Sequence, residues 1–315
     1  MSALASFFAI SEEVRTALAE GRGVVALETT LVSHGFPGEQ GLEVALESER
    51  QVRASGCVPA TVGVVGGQVV VGLSERQLEL FAGVSREHAG HGVRVQKVGP
   101  REVASCAAAG ALGATTVGGT LAACRATGVK FMATGGTGGV HRGFSSTLDI
   151  SADLFELART PALVVASGAK SLLDVRATSE VLESLGIPVL GWRTETLPRF
   201  YTSQGGPPVP AQVDAAEQAA RVAAYHWSVP ANGGLLLAQP PPRDLDVDDL
   251  LEEALQSAEA AGARGQDVTP EVLSYLHEAS GGETAKLNRE LIAANARLAG
   301  EVAAAYSALV ATGMP

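Results

Sequence analysis

Short apolar runs alternate with longer amphipathic stretches along most of this chain, and this alternation restricts the fold more than any other feature of the sequence. Candidate strands cover 23–27, 61–65, 69–72, 93–98, 129–133, 162–166, 187–191 and 234–237, with helical patterns over 39–55, 74–82, 101–109, 171–185 and 213–227. Strands separated by helices imply βαβ units, and therefore a largely parallel sheet covered by helices on both faces. The pair at Gly66–Gly67, set between two apolar runs, reads instead as a hairpin, so the sheet is expected to be mixed. The expected fold is a three-layer α/β/α sandwich. After Pro240-Pro241-Pro242 the pattern becomes purely helical: 246–262, a segment opening at Thr269-Pro270 as N-cap and first helical residue, and an Ala-rich helix over 283–309. Nothing between residues 21 and 237 reads as a linker, so residues 1–315 are expected to form a single domain with a helical C-terminal elaboration from about 243.

A chain of 315 residues is long enough for one large core. Aromatics are only 4% of it, so that core must be built mostly from Ala, Val and Leu. The net charge of -11, with no stripe of Lys or Arg, argues against a nucleic-acid partner. A small anion is still compatible, because a few oriented N–H groups and a lysine make a local positive site in an acidic protein. Cys57, Cys106 and Cys124 are scattered without metal-ligand or CxxC spacing and read as reduced and buried. The apolar start lacks the basic flank of a signal peptide, and no apolar run reaches the ~18 residues of a membrane span. A cytoplasmic enzyme with no membrane partner is expected.

Lys170 closes the run Ala162-Leu-Val-Val-Ala-Ser-Gly-Ala-Lys170, after a buried strand and at the expected start of a helix. Open α/β sheets bind ligands beyond the carboxyl ends of their strands. An apolar setting and a helix N-terminus would both make a lysine a usable Schiff-base nucleophile, although a surface lysine starting a helix is the plainer alternative. The glycine-rich run Thr134-Gly-Gly-Thr-Gly-Gly-Val-His141-Arg142 follows another strand and suits close backbone approach to an anion; it is neither a Walker loop nor a dinucleotide fingerprint. In Asp149-Ile-Ser151-Ala152-Asp153, two acids and a serine offer a metal carboxylate and phosphate contacts at a helix start, or ordinary capping. Glu28 ends the first long strand as either a satisfied structural acid or a general acid. Lys97 and Thr115-Thr116-Val117 also close strand-like runs where a phosphate could be held, while His34 alone on a loop is a weak ligand candidate.

These words occur in collinear order with others: Leu27-Glu-Thr-Thr30, Ser33-His-Gly35, Val58-Pro-Ala-Thr61, Gly113-Ala-Thr-Thr-Val117, Ser167-Gly-Ala-Lys-Ser171, Phe200-Tyr201 and Asn295-Ala296. Together they resemble the pseudouridine-5'-phosphate glycosidases from about Val24 to Ala304. The resemblance implies reversible cleavage of the C–C glycosidic bond of pseudouridine 5'-phosphate to uracil and ribose 5-phosphate. It implies Lys170 as nucleophile, Glu28 as proton donor and Asp149 as the protein ligand of one divalent ion, Mn²⁺, otherwise held by water. Lys97, Thr116, Val117, Thr134, His141, Ser151, Ala152, Asp153 and Asn295 form the implied substrate set, in a homotrimer.

The chemistry suits these residue types. A carbon-linked uracil offers no heteroatom leaving group, so the paired carboxylates of ordinary glycosidases have nothing to protonate. Joining the ring-opened ribose to an amine makes C1 part of an iminium system, which explains a lysine in their place. The chain departs from the family at Gly99-Pro100-Arg101-Glu102 after Lys97, at Thr137, at Gln239-Pro-Pro-Pro242, and at Ala294, where the first of two asparagines is usual. The alternatives are a Schiff-base lyase or aldolase on another ribose phosphate, and a non-catalytic sugar-phosphate binding protein.

Overall fold

The computed structural model describes residues 7–36, 38–85, 94–263 and 268–313. Its strands are β1 (Phe8–Ile10), β2 (Val24–Glu28), β3 (Val58–Val65), β4 (Gln68–Val71), β5 (Gln96–Val98), β6 (Gly113–Thr115) and β7 (Phe131–Ala133). They continue with β8 (Val140–His141), β9 (Leu163–Ala166), β10 (Leu173–Asp174), β11 (Val189–Trp192), β12 (Ala211–Val213) and β13 (Leu235–Ala238). The helices are α1 (Glu12–Ala19), α2 (Glu39–Ala54), α3 (Glu75–Ala82), α4 (Val103–Ala108), α5 (Val117–Thr127) and α6 (Phe144–Thr147). Then follow α7 (Ala152–Arg159), α8 (Val175–Ser184), α9 (Ala216–Ser228), α10 (Asp248–Ala260), α11 (Val268–Ala279) and α12 (Glu283–Ala311). A π-helical turn at Leu31–Gly35 links β2 to α2.

Eleven strands form one sheet, ordered β1-β4-β3-β2-β7-β9-β13-β11-β12, with β6 pairing β3 and β5. From β3 through β12 every pair along this path is parallel, as the βαβ alternation predicts. The β3–β4 hairpin turns at Gly66 and Gly67, whose φ of 57° and 80° only glycine adopts without strain. Of the expected strand at 93–98, the described part is β5; residue 93 lies outside the described residues.

Each central strand buries both faces, so successive residues feed two different helical layers. Val25, Leu27, Phe131, Leu163 and Leu235 pack with α9 and α12, whereas Val24, Ala26, Met132, Val164 and Leu236 share a second core with α5, α7 and α8. Each buried Val or Leu stabilises by about 1.5–3 kcal/mol. The long C-terminal helix is therefore more than an elaboration. Leu298, Ala299, Val302 and Ala303 of α12 lie directly on the sheet, and α12 also packs on α2. Helix α11 begins at Val268, one residue before Thr269, so Thr269 is inside the helix and its cap falls outside the described residues. Among the described residues no helix is long and apolar enough to cross a membrane. The three cysteines are free and buried, with the thiol of Cys124 pushed up to about 12 by burial.

Candidate active site

The carboxyl ends of β2, β7, β9, β5 and β6 meet at one edge of the sheet, and every candidate residue on these strands arrives there. Buried hydroxyls tie the ends together. Thr29 and Thr115 both donate to the Val62 carbonyl, at 2.7 and 2.8 Å, and the Thr115 N–H donates to Thr29 Oγ1 at 2.9 Å. Glu28, at the tip of β2, is only 4% exposed and accepts a hydrogen bond from Thr134 Oγ1. Burial pushes its carboxyl above the ordinary range; the nearby charge of Lys170 and the Thr134 hydroxyl oppose this, and Asp153 adds to it. A buried acid held near a lysine is the arrangement a proton donor needs.

Lys170 is not at a helix start. Helix α8 begins at Val175, capped by Asp174, whose side chain accepts from the Ala177 N–H. The local pattern of residues 171–174 predicts helix, but Leu173–Asp174 pair antiparallel with Val140–His141 of the glycine-rich segment. Lys170 is therefore held by a strap between two loops and not by a helix N-terminus. The Lys170 N–H donates to the Thr137 carbonyl at 3.1 Å, and the Thr137 N–H donates to the Gly168 carbonyl at 3.0 Å. Gly168, with φ 74°, has the Pro198 carbonyl 1.9 Å from where a Cβ would stand, so no other residue fits there.

Asp153 has a structural role that the sequence does not announce. Its two carboxylate oxygens are occupied by the N–H groups of Gly118 at 2.7 Å and Gly138 at 3.0 Å, with Thr116 Oγ1 at 3.4 Å. The residue clips the start of α5 to the glycine-rich loop, and it also lines the cavity described next. Ser151 caps α7 by accepting from the Asp153 N–H, and a Cβ on Gly138 would lie 2.1 Å from its hydroxyl.

Lys97, Thr116, His141, Asp149, Ser151, Ala152, Asp153 and Lys170 all line one cavity of about 370 Å³, with Thr30 and Gly138. The first turns of α5 and α7 open onto it, so two helix N-termini and two lysines offer donors to an anion there, beside the carboxylates of Glu102, Asp149 and Asp153. The departures after Lys97 fall on its rim. Glu102 accepts from the Gly99 N–H at 3.1 Å and pairs with the outward Arg101 at 2.7 Å, so its carboxylate occupies a backbone donor that faces the cavity. His141 Nδ1 stands 3.9 Å from Asp149 Oδ2; burial holds the imidazole below its ordinary value, partly offset by that carboxylate. No group of three metal-ligating side chains exists among the described residues. One carboxylate in an open polar cavity fits a hard, mostly hydrated ion of the Mg²⁺ or Mn²⁺ kind, and not a metal caged by imidazole or thiolate ligands.

Four of the expected residues lie just outside this cavity. Glu28 and Thr134 form a buried pair behind it, and Val117 is the buried first residue of α5. Asn295, fully buried on α12, donates from Nδ2 to the Thr134 carbonyl at 2.8 Å and to Ser167 Oγ at 3.2 Å, so it holds the loop carrying Glu28's partner. His34 sits in the π-helical turn and lines no part of the cavity. Thr30 and Gly138 escaped the sequence reading, although both lie in words that were singled out.

A sequence profile described as "Indigoidine synthase A like protein" matches residues 13–305. A Chloroflexus aurantiacus protein named pseudouridine-5'-phosphate glycosidase is 46% identical, covering 95% of this chain and 99% of its own length. The Escherichia coli K12 protein of the same name is 42% identical over 95% of this chain and 96% of its own. Among solved structures, the prealnumycin C-glycosynthase AlnA in complex with ribulose 5-phosphate superposes with a TM-score of 0.86, at 40% identity over 97% of this chain and 99% of that one. An indigoidine synthase A-like protein from Thermotoga maritima gives 0.84 at 34% identity, over 96% of this chain and 97% of its own. With its fold, its collinear sequence words and near full-length identity in agreement, the chain belongs to the indigoidine synthase A-like family, that of the pseudouridine-5'-phosphate glycosidases.

Proposed function

We propose that this chain reversibly cleaves pseudouridine 5'-phosphate with water to uracil and ribose 5-phosphate, through a Schiff base between Lys170 and ring-opened ribose. The observation that carries this reading is Lys170 in a polar cavity of about 370 Å³ that also holds Lys97, within electrostatic reach of the buried acid Glu28. The phosphate sits near Lys97 and the first turns of α5 and α7. The ribose ring opens at the C1–O4 bond, and the Lys170 amine bonds to C1. The nitrogen lone pair then forms C=N as the C1–C5 bond breaks and its electrons pass to the uracil ring. Glu28 supplies a proton to the opening ring oxygen or to uracil C5, and the proton released by the Lys170 amine on bonding to C1 goes to the other. Water hydrolyses the imine, releasing ribose 5-phosphate and the free amine.

Asp149 would hold one Mn²⁺ through a largely hydrated shell, and the ion would supply positive charge to the anionic substrate. The remaining substrate contacts are assigned to Thr116, Val117, Thr134, His141, Ser151, Ala152, Asp153 and Asn295. We propose a homotrimer working in the cytoplasm; the apolar side chains of Leu148 and Phe155, 74% and 50% exposed near the cavity mouth, are suited to such an interface.

Borohydride reduction in the presence of ribose 5-phosphate tests the covalent step. It should place one reduced pentose phosphate on the Lys170 peptide by mass spectrometry; an unmodified Lys170 contradicts it. The similarity to a C-glycosynthase makes transfer of ribose phosphate to another aglycone the second reading. Uracil release separates the two.

A further inference from the structure

We infer a second anion site, for a small phosphomonoester, in a cavity behind the strap that holds Lys170; it is separate from the reaction proposed above and does not rest on it. This cavity has about 330 Å³, within the range of small-molecule sites. Its wall is the same β8–β10 pair that borders the reaction cavity, on the opposite face. His141 and Lys170 line the reaction cavity, whereas the residues that follow them, Arg142 and Ser171, line this one. Leu173, paired with His141, borders both. Extended backbone sends successive side chains to opposite faces, so a two-stranded strap can partition two cavities and furnish each with its own polar groups.

Three arginines from three separate segments converge on this second cavity: Arg142 after β8, Arg176 in the first turn of α8, and Arg199 in the loop after β11. Arg176 is exposed and has no ion-pair or hydrogen-bond partner among the described residues. Arg142 reaches Glu252 and Arg199 reaches Asp248, each at 3.3 Å and each with a well-exposed carboxylate. Exposed pairs of this kind contribute little, so both guanidiniums can turn to a stronger acceptor. Arg199 Nε also donates to the Gln204 carbonyl at 3.2 Å, which holds its fork at the rim. Against these three cations the lining has two carboxylates, Asp174 and Asp248, and Asp174 already accepts from the Ala177 N–H. The balance is positive in a chain of net charge -11. Ser171 adds a hydroxyl: the residue is 8% exposed, and its Oγ is buried with no partner among the described residues, a state that few buried polar groups keep without a further function. Guanidinium forks match the paired oxygens of a phosphate, while Val175, Tyr201 and Leu251 offer apolar wall to a compact organic body.

Equilibrium dialysis of the full chain against radiolabelled inorganic phosphate tests the site, with Lys97→Ala used to weaken phosphate held in the reaction cavity. The Lys97→Ala protein should still bind one phosphate per chain, with a Kd below about 1 mM. Adding Arg176→Ala should weaken that binding about tenfold, the loss of one charge-assisted pair, and adding Arg176→Lys by only about threefold, since the charge stays and the fork is lost. Arg176→Ala alone should remove the same equivalent from the wild type, which keeps the test valid if Lys97→Ala folds poorly. Arg176 is exposed and unpaired, so its own replacement leaves the fold intact. Phosphate uptake that Arg176→Ala leaves unchanged overturns the inference, and so does a wild type that binds no phosphate. Displacement of the bound phosphate by succinate at lower concentration than by methyl phosphate overturns the choice of a phosphomonoester.

Discussion

Replacing Asp153 with asparagine tests whether this residue acts as the clip between α5 and the glycine-rich loop. The aspartate is buried and accepts from the Gly118 N–H on one oxygen and from the Gly138 N–H on the other. Asparagine keeps one acceptor and turns an NH₂ donor toward the second N–H. The surviving bond loses its charge assistance, and the orphaned N–H costs about 1–3 kcal/mol. Together these give a destabilisation of about 2–4 kcal/mol, read as a lower denaturation midpoint with an unchanged slope in urea. Because Gly138 lines the cavity and Gly118 is in the first turn of α5, the KM for ribose 5-phosphate should also rise at least tenfold, about the effect of misplacing a binding loop. An Asp153→Asn protein within about 0.5 kcal/mol of wild type and with an unchanged KM would refute the reasoning, because neither bond would then matter.

Glu28→Gln should abolish most turnover and change the pH dependence of stability. Burial holds the Glu28 carboxyl above its ordinary value of 4.5, so the unfolded chain releases this proton first as pH rises. The contribution is fully present below 4.5 and is lost as pH rises through the raised value; Glu28→Gln should flatten the stability profile across that window in denaturant titrations. Chelation should suppress turnover and Mn²⁺ restore it, while Asp149→Ala should raise the Mn²⁺ concentration for half-activation at least tenfold without altering urea stability.

The sheet was legible because runs such as Leu163–Ala166 are apolar on both faces, and a short uninterrupted apolar run is what a buried parallel strand requires. Glu28 and Lys170 were legible for the same reason: both follow such runs at carboxyl ends. The strand at Leu173–Asp174 was not, because it exists only through pairing with Val140–His141, more than thirty residues earlier in the chain, and its own sequence reads equally well as a helix start. Asp153 announced a helix cap, but its partners Gly118 and Gly138 are brought to it by tertiary folding.

The central claim is a lysine-dependent C–C cleavage, and product analysis tests it most directly. Purified chain, pseudouridine 5'-phosphate and Mn²⁺ are incubated and followed chromatographically for uracil and ribose 5-phosphate, alongside Lys170→Ala. Lys170 is half-buried and its side chain supports no core packing, so the variant should fold normally. The account predicts equimolar release of both products by the wild type and none by Lys170→Ala. Wild-type rates in the folded Lys170→Ala protein, or no release from a metal-loaded wild type, would contradict it.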